Sequence, residues 1–163
     1  GNVGVVETDE AAFPEIVRLV QPRVILLNNL FRDQLDRYGE LNTIATKWGA
    51  AVARLPATTR LVVNADDPAL AEITRDVVAS RTTFGMDAPR YRLEALPHAA
   101  DAAVCRRCGA DLQYDALYVS HLGAWRCPRC TAARPPLDVV GKAIELVGAE
   151  SLKLRVASPA GEL

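Results

Sequence analysis

Apolar residues along the chain alternate between short continuous runs and helical repeats. Val3–Val6 is an apolar run that reads as a first buried strand. Phe13, Ile16, Val17 and Val20 then fall at i, i+3, i+4 and i+7, which predicts a helix from about Ala11 to Val20. Thr8 and Asp9 offer it caps, and Pro14 is tolerated in its first turn. Val24–Leu27 is a second strand, followed by a polar loop from Asn28 to Glu40. Leu41, Ile44, Ala45, Trp48, Val52 and Leu55 share one face of a helix over Leu41–Leu55, closed by Pro56. Leu61–Val63 is a third strand. Asp67 caps a helix that opens on Pro68 and carries Leu70, Ile73 and Val77. Thr82–Phe84 is a fourth strand, ended by Gly85.

Strand–helix alternation of this kind predicts an α/β fold, a mostly parallel sheet flanked by helices with right-handed crossovers. The continuous apolar strands imply burial on both faces. After about Asp87 the pattern changes. Tyr91–Leu96 reads as a strand, a cysteine-bearing stretch follows, and beyond Arg134-Pro135-Pro136 come β-like segments at Ala143–Val147 and Ser151–Val156. The predicted organisation is an α/β nucleotide-binding core over 1–96, an inserted ribbon over 97–136, and strands returning to the core over 137–163.

Composition adds bounds. The 163 residues, 50% hydrophobic and 24% charged, suit one globular domain carrying a small insert. A net charge of −1 gives no global attraction to nucleic acid or anionic membrane. No apolar run approaches the roughly 20 residues of a membrane span, and no signal peptide is visible. Because Gly1–Val6 already reads as strand, a segment of a longer protein is expected. All four cysteines lie in one short stretch, which favours a reducing, cytoplasmic setting over a secreted disulfide scaffold.

Those cysteines form two Cys-x-x-Cys pairs, Cys105/Cys108 and Cys127/Cys130, separated by 18 residues. Each pair can present two sulfurs to one ion, and the spacing predicts a ribbon holding one structural Zn²⁺. Disulfides, free thiols and an iron–sulfur site are the alternatives. Tyr114, Leu117, Tyr118, Val119 and Trp125 supply a hairpin and apolar patch between the turns. From Cys105 to Arg134 there are five arginines and two aspartates, a side-chain excess of +3. Four thiolates around zinc contribute about −2, so the remainder does not favour phosphate binding. His121 reads as a solvated loop residue rather than a fifth ligand.

Ligands of open parallel sheets bind beyond the carboxyl ends of the strands. There the first strand runs into Glu7-Thr8-Asp9-Glu10, the second into Asn28-Asn29 and Arg32-Asp33-Gln34-Leu35-Asp36-Arg37, and the third into Asn64-Ala65-Asp66-Asp67. Carboxylates and amide oxygens suit Mg²⁺, as phosphoryl transfer requires. Each residue also has a plainer role, as helix cap, turn former or solvated ion pair. No G-x-x-x-x-G-K-[ST] phosphate loop is present, since the only Gly-Lys pair, Gly141-Lys142, has Pro136 where the first glycine would stand.

These motifs resemble the Mur ligase superfamily. Asn28 through Glu40 resembles its N-x-x-x-D-H-[LM]-D-R-[YH] segment, Val63-Asn64-Ala65-Asp66-Asp67 its N-x-D-D turn, and Phe84-Gly85 the following F-G. Glu7 stands where these ligases place a metal-binding glutamate. With the Cys₄ ribbon, the chain looks like the central domain of the Mur ligase-like subunits that amidate lipid II. That resemblance implies ATP-dependent amidation: activation of the α-carboxyl of D-glutamate in the lipid II stem peptide, with ammonia from a class I glutaminase partner (GatD-like), giving D-isoglutamine. It implies Glu7 as a Mg²⁺ ligand, Asn64 at the adenine, Asp66 and Asp67 shaping the same turn, and Asp33 and Asp36 ordering the metal-site loop. Gln34 departs from the family histidine, and its carbonyl oxygen would reach Mg²⁺ directly or through water. Lys47 falls near the place of a carbamoylated lysine in some Mur ligases. The phosphate loop would precede Gly1 and a C-terminal domain would follow Leu163, so this segment alone is expected to be inactive. Two other classes stay open: a Mur-type ligase that adds an amino acid, against which Gln34 and the ribbon speak, and a non-enzymatic zinc-ribbon module binding nucleic acid, against which the charge speaks.

Overall fold

The computed structural model describes residues 2–31, 40–95, 102–148 and 150–163. Its elements are α1 (Phe13–Val20), β1 (Val24–Leu27), α2 (Glu40–Val52), β2 (Arg60–Asn64), α3 (Pro68–Ile73), β3 (Ser80–Met86), β4 (Gln113–Val119), β5 (Leu122–Arg126), β6 (Val139–Val147), β7 (Ser151–Ser158) and β8 (Gly161–Glu162). One six-stranded sheet has the order β1-β2-β3-β6-β7-β8, and β4-β5 is a separate hairpin. Pairing is parallel from β1 through β6 and antiparallel from β6 through β8. The mixed sheet thus keeps the expected parallel core and gains an antiparallel extension.

Apolar spacing in the helices explains the core. Phe13 and Val17 of α1, Ala45, Trp48 and Val52 of α2, and Leu70 of α3 bury against Ile25, Leu27, Leu61 and Val63 of the sheet. Helix α1 touches α2 and α2 touches α3, so the three helices share one face. Burying each of the Val, Leu, Ile and Phe side chains among these contributes about 1.5–3 kcal/mol. Expected burial on both faces does not hold at β1, where Val24 is 58% and Leu26 62% exposed. Its strand pattern is alternating, because the described residues supply no layer opposite the helices.

Three other expectations change. Val3–Val6 is not a strand, and Val3, Val5 and Val6 are 77%, 94% and 65% exposed. Among the described residues no strand pairs with this segment, so it lacks the bonds that would offset chain entropy. Tyr91–Leu96 does not form a strand over its described part. Pro89 sets a 3-10 turn at Pro89–Tyr91, and one main-chain bond follows, from Leu93 N to Leu117 O at 2.7 Å. Helix α2 ends at Val52, because Arg54 N and Leu55 N bond three residues back to Ala51 O and Val52 O. No helix among the described residues is long and apolar enough to cross a membrane.

Candidate functional site

Two tight turns build the cysteine cluster. Cys105 N donates to Ala110 O at 2.8 Å and Gly109 N to Cys105 O at 2.9 Å, while Cys127 N donates to Ala132 O at 2.7 Å. Gly109 takes φ 73°, which suits a residue without a Cβ. The four sulfurs lie within 4.8 Å of one another. Cys105 Sγ to Cys130 Sγ is 3.7 Å and Cys108 Sγ to Cys127 Sγ is 3.4 Å. A tetrahedron with Zn–S near 2.3 Å has edges of about 3.8 Å, so the donor set fits a tetrahedral metal. All four cysteines are free, with no disulfide between them. Burial pushes the Cys127 thiol up, but the N–H groups of Arg129 and Cys130 and the neighbouring thiols bring it down to about 6. At Cys130 the Ala132 N–H acts downward, yet burial and the surrounding sulfurs raise the thiol to about 11. One thiolate forms readily and then opposes the next, a conflict that a dication removes.

At the carboxyl end of β2, the Asn64–Asp67 turn is held by its own side chains. Asn64 Oδ1 accepts from Asp66 N at 3.0 Å. Asp67 Oδ1 caps α3 by accepting from Ala69 N at 2.8 Å and Leu70 N at 3.2 Å. Its Oδ2 accepts from Leu30 N at 2.8 Å, tying the end of β1 to the end of β2. Asp66 Oδ2 accepts from Met86 N at 2.8 Å, and its Oδ1 from Arg134 at 2.8 Å. Burial raises the Asp66 carboxyl, against the pull of Met86 N–H and Arg134. The Asp66 and Asp67 carboxylates are thus both engaged in bonds that hold the turn. Among the described residues the Asn64 side-chain nitrogen has no hydrogen-bond partner.

The ribbon closes over this turn. Trp125 Nε1 donates to Ala65 O at 3.0 Å, and Gly123 N donates to Asp66 O at 3.0 Å. Ala71 of α3 joins Cys105, Leu112, Trp125, Cys127 and Ala132 in one buried cluster. His121, expected in solvent, is 1% exposed, with Nε2 3.6 Å from Asp67 Oδ2. Its ring meets Phe31 edge-on at 4.8 Å. The two-residue hairpin turn between β4 and β5 carries it inward.

The remaining predicted residues are not gathered here. Glu7 is exposed on a segment that is not a strand, so two of the three expected strand ends are built by the sheet. Trp48 Nε1 fastens the following residues by donating to Glu10 O at 2.8 Å. Asp33, Gln34 and Asp36 lie outside the described residues. Lys47 is exposed on α2. No motif marks Trp125, Arg134 or His121 as a support of the turn, and Gly85 enters only through the Phe84-Gly85 motif.

The Mur ligase middle domain profile matches residues 2–106. The chain belongs to the Mur ligase middle domain family. Within reach of that family, the chain is 30% identical over 151 residues to "Lipid II isoglutaminyl synthase (glutamine-hydrolyzing) subunit MurT" of Streptococcus pneumoniae, covering 92% of this chain and 33% of that protein. The MurT subunit of Staphylococcus aureus (strain COL) is 30% identical over 128 residues, 77% of this chain and 28% of that protein. UDP-N-acetylmuramate–L-alanine ligase of Thermobifida fusca is 36% identical over 96 residues, 56% of this chain and 20% of that protein. A solved pseudomurein peptide ligase type C from Methanothermus fervidus superposes with TM-score 0.69 at 21% identity, covering 91% of this chain and 27% of its own, which shows the fold. The chain spans about a third of the length of the first of these relatives.

Proposed function

We propose that the whole protein is an ATP-dependent carbon–nitrogen ligase of peptidoglycan biosynthesis that activates the α-carboxyl of D-glutamate in lipid II for amidation to D-isoglutamine. A class I glutaminase subunit would supply the ammonia. The observation that carries this reading is the extent of the similarity. A match covering 92% of the chain cannot omit the Cys105–Cys130 ribbon, whereas the alanine-adding ligase aligns over 56%. The sulfur geometry supports a structural Zn²⁺ on Cys105, Cys108, Cys127 and Cys130.

A carboxylate is a poor electrophile, and ATP with Mg²⁺ supplies the activation through phosphoryl transfer. Within this chain, the Asn64 side-chain nitrogen is available to an adenine acceptor, held in place by the Asp66 N bond to its oxygen. Asp66 and Asp67 keep the turn in shape. Glu7 offers an exposed carboxylate to Mg²⁺; in this reading Asp33 and Asp36 order the metal-site loop, and the Gln34 carbonyl oxygen serves the ion directly or through water.

The test incubates full-length protein and its glutaminase partner with lipid II, ATP and glutamine, and reads the product by mass. Conversion of one carboxyl to an amide supports the proposal, and Glu7→Ala should abolish it while leaving the two subunits associated. Addition of a whole amino acid by the wild type would move the protein to the amino-acid-adding class.

A further inference from the structure

We infer that the ribbon is a positioning element for the Asn64–Asp67 turn, and that His121 is the residue through which it fixes Leu30–Phe31 to that turn. Neither the four sulfurs nor the small apolar cluster of the ribbon includes a histidine. His121 is nonetheless 1% exposed, and its Nδ1 has no hydrogen-bond partner among the described residues. A buried imidazole nitrogen left unpaired works against stability. An aliphatic side chain would fill the same space without that cost. The position is therefore accounted for by what the ring faces rather than by what it adds to packing.

It faces two things at once. Nε2 lies 3.6 Å from Asp67 Oδ2, the same oxygen that accepts from Leu30 N at 2.8 Å. The ring also stands edge-on to Phe31, with the ring centroids 4.8 Å apart. One side chain thus touches the carboxylate that ends β2 and the residue that follows the end of β1. Ser120, at φ 50°, makes the tight two-residue turn that turns His121 inward. Behind it, Gly123 N on Asp66 O and Trp125 Nε1 on Ala65 O, both at 3.0 Å, leave the hairpin little freedom to retreat. Arg134 Nη1 completes the grip on Asp66 Oδ1 at 2.8 Å and on Met86 O at 3.1 Å. Ribbon groups therefore bond the Ala65 and Asp66 carbonyls and the Asp66 carboxylate, and His121 faces Asp67.

That this positioning serves nucleotide binding rests on the proposed role of Asn64. The experiment separates the two. Full-length His121→Leu and His121→Gln are compared with wild type for zinc content, amide hydrogen exchange over residues 28–31, and the KM for ATP against kcat. Leucine keeps the volume and removes the nitrogens, while the glutamine amide nitrogen can take the place of Nε2. In His121→Leu one zinc per chain should remain and exchange over 28–31 should accelerate about tenfold, as when a buried polar contact is lost. His121→Gln should return exchange to within about threefold of wild type. Wild-type exchange over 28–31 in the leucine variant overturns the inference. Loss of zinc from that variant also overturns it, since His121 would then hold the ribbon together instead. If exchange accelerates, the positioning role stands. An accompanying rise in KM for ATP with little change in kcat ties it to the nucleotide, and an unchanged KM removes the nucleotide role of the turn alone.

Discussion

The indole nitrogen of Trp125 donates to the main-chain oxygen of Ala65 at 3.0 Å, joining the residue two before Cys127 to the turn at the end of β2. The cysteine cluster and the α/β core therefore share a boundary in which both backbones take part. Loss of the proposed Zn²⁺ should be felt across it. Cys127→Ser, or exhaustive chelation, should abolish stoichiometric zinc and expose Trp125, seen as a red shift in tryptophan emission. Because structural zinc sites carry their own folding free energy, residues 105–132 should open first. The Asn64–Asp67 turn should then exchange faster while the β1–β3 pairing persists. Retention of a wild-type emission spectrum after complete zinc removal would show that the boundary does not depend on the metal.

Asp67 carries three bonds on one carboxylate, to Leu30 N, Ala69 N and Leu70 N. Asp67→Ala removes a helix cap worth about 1 kcal/mol. It also strands the buried Leu30 N–H, a further ~1–3 kcal/mol. Urea unfolding should therefore show a loss of about 2–4 kcal/mol. Asp67→Asn keeps one acceptor oxygen, enough for the cap or for Leu30 N but not for both, and should lose less than Asp67→Ala. Equal losses for the two would mean that the bond kept by the asparagine oxygen contributes nothing.

Much of this core was legible because its signals are local. Phe13 and Val17, or Trp48 and Val52, repeat at helical spacing, and Asp67-Pro68 announces a capped helix. Cys105 and Cys127 each open a short-range motif whose geometry follows from its spacing. Burial of His121 was not legible, since it comes from a hairpin folding back on a turn 54 residues earlier in the sequence. Nothing within a few residues of it encodes that contact. The failure at Val3–Val6 is of the opposite kind: the local signal is strong, but a strand also needs a neighbour. Gly85 reads as a strand terminator by composition, whereas its position is set by the carboxylate beside it.

Asp138 offers a test of pH dependence away from the turn. Its carboxylate accepts from Thr83 N at 2.7 Å and Thr83 Oγ1 at 2.9 Å. The Thr83 N–H, then the Thr83 hydroxyl, hold this carboxyl below its usual value of 3.8. A folded-state value below the unfolded one means stability that is fully present above about pH 4. It is lost as pH falls through the depressed folded value. Because Asp138 is largely exposed, Asp138→Asn should cost only about 1 kcal/mol at pH 7. That difference should shrink towards zero below pH ~3. Chemical unfolding of both proteins across that range checks it, and a gap that widens on acidification would reverse the assigned sign.

Gly85 is the most constrained position at the turn. A Cβ there would come within 2.5 Å of Asp66 Oδ1, 2.9 Å of Asp66 Cγ and 3.0 Å of Leu137 Cδ2. The carboxylate cannot simply rotate away, because Oδ1 holds Arg134 and Oδ2 holds Met86 N, both at 2.8 Å. Displacing it would break bonds made by a group that is 3% exposed. Overpacking of this kind costs about 1–3 kcal/mol. Gly85→Ala should therefore lower the unfolding free energy by that amount. Arg134→Ala removes one of the two constraints and leaves Asp66 freer to move. In that background Gly85→Ala should cost less than it does alone, giving a coupling of about 0.5–3 kcal/mol in a double-mutant cycle. Additive losses would show that the alanine is accommodated elsewhere, by Leu137, and that Asp66 stays in place.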